Sequence, residues 1–167
     1  LAGTTNTNTS ASAKNSVSDP KYAGFLALPF NQVNITGDGQ AVVTIKYERQ
    51  SYTLSLETDD HISATSVNSS SYLSPVTLKF GASVSIDATA AQGYDFKNWT
   101  DSGNFDTQVS DQKTFSGWTM PAKNITYKAN SKPGVNTAYT VRYLKQKLGS
   151  TTEYELAEDE LYLTGTT

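Results

Sequence analysis

The sequence predicts a mainly β protein built from small antiparallel domains, and three observations support that prediction. The chain of 167 residues contains 23 Thr and 10 Tyr, and both residue types favour pleated, half-exposed surfaces. About ten short runs alternate apolar and polar residues at close spacing, which is typical of small β domains. Residues 1–5 (LAGTT) and 163–167 (LTGTT) match at four of five positions, which indicates one period of a longer tandem array.

Composition and charge argue against several function classes. The net charge is −3 and charged residues make up 17% of the chain, so we expect no nucleic-acid partner, which would need a clustered basic surface. The absence of cysteine excludes disulfides and thiolate metal sites. No apolar run approaches the roughly 18 residues that span a bilayer, so we expect no membrane insertion of this segment.

The first fifty residues are predicted to contain one hairpin. Residues 3–21 are small and polar, and they form either a solvated linker or a short helix over residues 10–16. Residues 33–36 alternate and are followed by the turn Gly37-Asp38-Gly39. A strand over residues 41–47 comes next, and this order predicts that the two runs pair across the turn.

The central part of the chain alternates with the period of two that marks strands. Within residues 94–99, this alternation places Tyr94 and Phe96 on one face and Trp99 on the other. Residues 101–111 are polar and are predicted to form a loop. The predicted central strands cover residues 52–56, 76–80, 84–88, 94–99 and 124–129. Residues 62–71 are Ser-rich and are predicted to be either a loop or a loop that contains a short strand near residues 62–67.

The tail is predicted to form a second hairpin. Residues 139–144 alternate, a polar turn follows around Gly149, and residues 153–158 can pair back across that turn. Residues 159–163 extend the second strand to the last pentapeptide.

Three motifs in the centre of the chain carry a family resemblance. They are Gly81-x-x-Val84-x-Ile86-x-Ala88, Gly93-Tyr94-x-Phe96-x-x-Trp99-Thr100 and Met120-Pro121-Ala122-x-Asn124-Ile125-Thr126. With these motifs, residues 51–131 resemble the divergent internalin-type B-repeat domain of bacterial cell-surface proteins. Phe115-Ser116-Gly117-Trp118 departs from a plain alternating strand, and we expect a bulge there.

The two ends of the chain resemble the two halves of one related repeat. Residues 137–167 run from a Tyr-Thr-Val strand to Leu-Thr-Gly-Thr-Thr, and they resemble the opening of internalin B-type and mucin-binding-protein repeats. Residues 1–50 resemble the close of the same repeat. The resemblance implies a split β-grasp-like repeat. The predicted units are residues 1–50 as its closing part, 51–131 as the B-repeat-like domain, and 132–167 as a linker and the opening part of the next repeat.

The two halves are predicted to complete each other by strand pairing. A two-stranded hairpin is marginal in water, and unpaired strand edges invite association. Residues 139–144 should therefore pair with residues 41–47, within one chain or between successive copies, and the second route makes a head-to-tail fibre. The predicted pairing residues are Tyr139, Val141 and Tyr143 on one side and Val43, Ile45 and Tyr47 on the other.

Few residues could carry chemistry. His61 is the single histidine and supplies one ligand where a transition-metal site needs several. The acidic run at residues 153–160 lacks calcium-loop spacing and is typical of a solvated strand face. We therefore predict no enzyme, no cofactor and no metal site. Trp99 and Trp118 could stack on sugars or pack in the core.

These observations predict a non-catalytic structural repeat of a bacterial extracellular stalk, adhesin shaft or filament. Its partners would be neighbouring repeats or copies of itself, and its location would be the bacterial cell surface. The alternative is a glycan- or mucin-binding module, which requires Trp99 or Trp118 to be exposed beside polar groups.

Overall fold

The computed structural model of the chain describes residues 3–104, 106–135 and 138–163, with side chains described up to residue 159. Within these residues lie thirteen strands and one 3-10 helix, so the prediction of a mainly β protein is confirmed. No helix in this described part is long and apolar enough to cross a membrane. Leu1, Ala2 and residues 164–167, which belong to the matching pentapeptides, lie outside the described residues. The elements are the 3-10 helix Pro20–Tyr22 and the strands β1 (Phe25–Ala27), β2 (Tyr47–Arg49), β3 (Ser51–Thr58), β4 (Ile62–Val67), β5 (Ser70–Ser71), β6 (Val76–Lys79), β7 (Ser83–Ala90), β8 (Tyr94–Asp101), β9 (Thr107–Ser110), β10 (Thr114–Thr119), β11 (Ile125–Pro133), β12 (Ala138–Gln146) and β13 (Tyr154–Leu163).

Strands β3 to β11 form two sheets in the centre of the chain. One sheet has the strand order β6-β3-β11-β8-β9, and the other has the order β10-β7-β4-β5. Neighbouring strands run antiparallel, except that β3 and β11 run parallel with Ile125 opposite Leu54. The first and last strands of this central unit therefore lie side by side in the middle of its five-stranded sheet.

The two central sheets share one hydrophobic core. Alternate residues of β3 and β7 are buried, as the period-two pattern predicts. Removal of this apolar surface from water is the main force that holds the two sheets together. The buried core residues are Leu54, Leu56, Ile62, Val67, Val84, Ile86, Ala88, Trp99, Met120, Ile125 and Ala129.

A bulge in β8 determines the face on which Trp99 lies. Residues 130 and 131 of β11 lie opposite Asn98 and Phe96, so Lys97 is an extra residue in β8. One extra residue shifts the alternation of side chains by one position. Trp99 consequently packs near Phe96, with their ring centroids 5.8 Å apart. The prediction that these two rings face opposite ways is wrong for this reason.

A second bulge lies in β10, where the sequence predicts one. The register of β10 against β7 shifts between Phe115 and Trp118. Gly117, which lies between them, has a φ of 80°, and glycine adopts this conformation without a steric penalty.

The polar residues 101–111, predicted to form a loop, contain strand β9. This strand pairs with β8, with Gln108 opposite Thr100. The loop prediction is therefore wrong for residues 107–110, because backbone pairing at a sheet edge needs no apolar alternation.

The N-terminal segment is irregular but is held against the chain. Residues 10–16 form no helix, so the linker alternative describes them better. Thr9 N–H donates to Val33 O at 2.8 Å, and Asn6 N–H donates to Ile35 O at 2.9 Å. The segment therefore lies along residues 33–35 instead of extending freely into solvent.

The hairpin predicted around residues 37–39 does not form. The turn itself is present, but residues 41–46 have no regular secondary structure and do not pair with residues 33–36. Strand β2 pairs with β1 instead, with Ala27 opposite Tyr47. The backbone groups of Val33 and Ile35 bond to the N-terminal segment instead.

A glycine and an aromatic ring join this N-terminal part to the central sheets. Gly24 has a φ of 79°, and a Cβ atom at this position would lie 2.3 Å from Cγ of Phe80. Phe25 packs edge-on against the same ring at a centroid distance of 5.5 Å. Phe80 N–H donates to Gln50 O at 2.8 Å, and Arg49 Nη1 donates to Phe80 O at 3.3 Å. These contacts fix β1 and β2 against the end of β6.

Candidate functional surfaces

Strands β12 and β13 form a separate two-stranded sheet, named here the C-terminal hairpin. Three ion pairs join residues of its two arms. Because all of them are exposed to solvent, they contribute little to stability. The pairs are Arg142–Asp159, Lys145–Glu155 and Lys147–Glu153, with N–O distances of 2.9, 3.2 and 3.2 Å.

The C-terminal hairpin exposes large apolar side chains. Tyr139 is 50% exposed, Tyr143 is 43% exposed and Leu144 is 54% exposed, while Val141 is half-buried. Tyr139, Val141 and Tyr143 share one face, because side chains alternate along a strand. Within the described part of the chain, β12 pairs with β13 and with no other strand. No third strand of the described residues therefore covers the other edge of β12.

Hydrogen-bond directions determine which backbone groups of β12 lie at its free edge. Lys147 N–H donates to Glu153 O at 3.0 Å, so these two facing residues form a hydrogen-bonded pair. Directions alternate along an antiparallel strand. The register shift between Tyr143 and Leu144 leaves Ala157 as an extra residue of β13 and adds none to β12, so odd-numbered residues of β12 point their backbone groups at β13. Thr140, Arg142 and Leu144 point their N–H and C=O groups towards the free edge.

Residues 41–47, named here the 41–47 segment, carry the other predicted pairing residues. Burial alternates along residues 41–46, where odd-numbered side chains are half-buried and even-numbered side chains are exposed. Among the described residues, the backbone of residues 41–45 makes no hydrogen bond. The segment therefore has the side-chain pattern of a strand without a ladder of strand hydrogen bonds.

The backbone of the 41–47 segment also has a defined direction. Leu28 N–H donates to Lys46 O at 2.9 Å, so Lys46 points its backbone groups at the β1 side. Tyr47, which lies opposite Ala27, points its groups away from β1, and continuing the alternation seen in the burial of residues 41–46 places those of Val43 and Ile45 on the same side. Leu28 occupies the edge facing β1 at Lys46, so a strand that runs along the whole segment can be added only at the edge of Val43, Ile45 and Tyr47.

Tyr47 is fixed in place by the N-terminal residues around it. Its ring lies 4.7 Å from the ring of Tyr22, measured between centroids. Its hydroxyl oxygen accepts a hydrogen bond from Lys14 N–H at 2.8 Å. The end of the 41–47 segment is therefore held in position before any partner strand is added.

The structure places the six predicted pairing residues on two surfaces that are not joined. Tyr139, Val141 and Tyr143 lie on the C-terminal hairpin, and the others lie on the 41–47 segment. Pairing within one chain is not present among the described strands. Pairing between copies stays a prediction.

The two tryptophans differ in their environments. Trp99 is fully buried, and its Nε1–H donates to Lys113 O at 3.1 Å. It presents no face to a ligand, so its proposal as a ligand-contact residue is wrong. Trp118 is half-buried, and it stacks on Phe115 and meets Tyr127 edge-on at centroid distances of 5.5 and 5.4 Å. Trp118 alone stays a candidate for ligand contact.

The titratable groups do not form a metal-binding cluster in the described residues. His61 is exposed and stacks on Tyr94 at a centroid distance of 3.7 Å. Asp59 accepts hydrogen bonds from Ser131 N–H at 2.6 Å and from Ser131 Oγ at 2.8 Å. Burial raises the pKa of Asp59, but the hydrogen bonds outweigh this effect and the pKa is lowered overall. Asp59 therefore acts as a structural link between the β3–β4 turn and β11.

A cleft that the sequence did not predict lies between the N-terminal segment and β3. Its volume is about 350 Å³, and small residues such as Ala13, Ala27 and Ala122 line much of it. Lys14 is the charged residue of this lining. The lining residues come from distant parts of the chain, so no local motif marks the cleft.

A protein-family model matches the central part of the chain. Residues 52–134 match the family model described as Divergent InlB B-repeat domain. The resemblance stated from the sequence for residues 51–131 is therefore confirmed. Comparisons with curated proteins and with solved structures found no match. The β-grasp-like reading of the flanking residues stays a prediction.

Proposed function

We propose that this chain, whose residues 52–134 match the family model of the divergent InlB B-repeat domain, is a non-catalytic structural repeat of a bacterial surface protein. The family match supports a bacterial surface repeat protein with a structural role. In this proposal the parent molecule is an extracellular stalk, adhesin shaft or filament. Strand complementation joins successive repeats or copies, and no cofactor takes part.

One observation carries the proposal, namely that the chain contains two separate, incomplete strand edges. Residues 41–45 form no backbone hydrogen bond within the described residues, and β12 belongs to a sheet of only two strands. Backbone groups at an open edge are ready to pair with another chain. A two-stranded hairpin also gains stability when further strands cover it.

The two edges differ from each other, so their pairing would be heterologous. The hairpin of one copy would bind the 41–47 segment of the next copy, whose own hairpin stays free for a third copy. A heterologous contact that does not close makes an open series. This geometry suits a stalk or filament.

The proposal is tested by measuring self-association of the chain by sedimentation velocity over a range of concentrations. We expect oligomers that grow with concentration, and elongated particles by electron microscopy. Thr140→Pro should weaken this association, because it removes a backbone N–H at the free edge of β12, where proline is tolerated. Leu73→Pro is the control, since Leu73 is 92% exposed and lies outside both edges.

A chain of two consecutive periods gives an independent structural test. We expect residues 139–147 of one period to contact residues 41–47 of the other period. A monomeric chain at every concentration, together with a two-period structure that lacks this contact, would contradict the proposal.

The alternative function, binding of glycan or mucin, now depends on Trp118. Its indole Nε1–H already donates to Phe115 O at 3.3 Å, and neighbouring rings cover part of its surface. Binding to a glycan array that is lost in Trp118→Ala, with unchanged thermal stability, would favour this alternative. A glycan array without any binding signal would rule out this alternative function.

A further inference from the structure

We infer that the C-terminal hairpin of one copy adds to the 41–47 segment of a second copy as a parallel strand, through the free edge of β12. This inference rests on the proposed function and specifies how the two copies meet. It follows from two properties of the described residues. These are the direction of the backbone groups and the face of each side chain.

The first step concerns the backbone groups at the two free edges. On β12 the even-numbered residues, among them Thr140 and Arg142, point their N–H and C=O groups outwards. On the 41–47 segment the odd-numbered residues Val43, Ile45 and Tyr47 do so. Any added strand must bring these two sets of groups together, because an N–H or C=O group left unpaired in the contact costs free energy.

The second step excludes the antiparallel arrangement. In an antiparallel pair, residues directly opposite each other either both point at the partner or both point away. Arg142 would then lie opposite an odd-numbered residue such as Ile45, and residues opposite each other share one face of the sheet. This arrangement would put a guanidinium group on the half-buried face of the segment. It would also leave Val141 beside exposed positions such as Thr44.

The third step shows that the parallel arrangement satisfies both requirements. In a parallel pair the bonds are slanted, and a residue that points at the partner bonds to the two residues flanking the one opposite it. Even-numbered residues of β12 then lie opposite even-numbered residues of the segment. The odd-numbered residues of both strands share one face. Tyr139, Val141 and Tyr143 would then extend the half-buried row of Val43, Ile45 and Tyr47.

Side-chain burial favours the same arrangement. Val43, Ile45 and Tyr47 are half-buried within one chain, so their face already rests on other residues. Adding Tyr139, Val141 and Tyr143 to that face would remove further apolar surface from water. A slip of one residue would reverse every side chain of the added strand, so the apolar pattern also restricts the register.

Disulfide cross-linking between copies tests this inference, and the chain suits the method because it contains no cysteine. One set of variants carries a single cysteine at Tyr139, Val141 or Tyr143. A second set carries a single cysteine at each position from 42 to 47. Each variant of the first set is mixed with each variant of the second set, oxidised, and analysed for covalent dimers. Each variant oxidised alone is the control.

The pattern of cross-links gives the strand direction. The inference requires dimers between odd-numbered positions only, and the cross-linked position in the segment must rise as the position in β12 rises. Adding Thr140→Pro to a cross-linking variant should remove its dimer band. Sedimentation of the same mixtures before oxidation shows whether the copies associate.

Three results would overturn the inference. Dimers between odd-numbered and even-numbered positions, with the segment position falling as the β12 position rises, would show antiparallel pairing and leave the proposed function intact. Association without any cross-link above the controls would place the contact elsewhere. If the copies neither cross-link nor associate, the proposed function fails with the inference.

Discussion

Replacement of Trp99 separates a core residue from a ligand-contact residue. Trp99 is fully buried between the two central sheets, and its indole N–H donates to Lys113 O. Trp99→Ala should lower the free energy of unfolding by about 3–5 kcal/mol, the usual cost of truncating a large buried ring. The stability of a natural domain is only about 5–15 kcal/mol, so this variant should be close to unfolding.

Thermal unfolding followed by circular dichroism measures this effect. For a domain of about 60–100 residues, such as the central unit, a loss of about 1 kcal/mol lowers the melting midpoint by about 4–8 °C. The midpoint of Trp99→Ala should therefore lie at least roughly 12 °C below that of the parent chain. Trp99→Phe keeps an apolar ring but loses the hydrogen bond, and it should cost about 1–3 kcal/mol. Trp118→Ala is the matched control, and its shift should be smaller because Trp118 is half-buried. If Trp99→Ala melts within about 2 °C of the parent, the assignment of Trp99 to the core is wrong.

Two further variants test the links around the central sheets. Gly24→Ala should lower the free energy of unfolding, measured in urea, by about 1–3 kcal/mol, because the added Cβ atom would overlap the Phe80 ring. Gly39 also has a positive φ but has open space around it, so the control Gly39→Ala should cost less. Equal losses of stability in the two variants would refute the steric explanation. The lowered pKa of Asp59 means that its ionised form stabilises the fold above about pH 4 and that this contribution disappears as the pH falls through the folded-state pKa. Asp59→Asn should therefore cost about 1 kcal/mol at pH 7, and this cost should shrink as the pH falls below about 4. A cost independent of pH would contradict the role given to the carboxylate.

The central strands could be predicted because burial there follows a simple rule. Residues 52–56 and 84–88 alternate in sequence, and their side chains alternate between core and surface. The motif Gly93-Tyr94-x-Phe96-x-x-Trp99 identified the domain without any structural information, and the family match confirms it. In these strands the local sequence pattern and the tertiary packing agree, so the sequence alone is sufficient to predict which residues are buried.

Features that depend on strand partners could not be predicted in the same way. The extra residue Lys97 changes the face of Trp99, but only the register against β11 shows which residue is extra. The turn at residues 37–39 suggested a local hairpin, yet Val33 binds the N-terminal segment and β2 binds β1. Competition between several possible partners decides such pairings, and the sequence of one strand does not contain that information.

The hydrogen-bond directions behind the candidate surface were also inaccessible to sequence analysis. The period-two pattern shows that Tyr139, Val141 and Tyr143 share a face. It does not show which edge their backbone groups occupy. That property depends on single bonds such as Lys147 N–H to Glu153 O, and it determines the strand direction that two copies can adopt.

The parallel pairing of β3 and β11 has a mechanical consequence. The chain enters the central unit at Ser51 and leaves it at Pro133, and these positions lie at opposite ends of two adjacent strands. Tension applied along the chain would slide the two strands past each other. All the backbone hydrogen bonds between β3 and β11 would then carry the load at the same time, instead of breaking one after another.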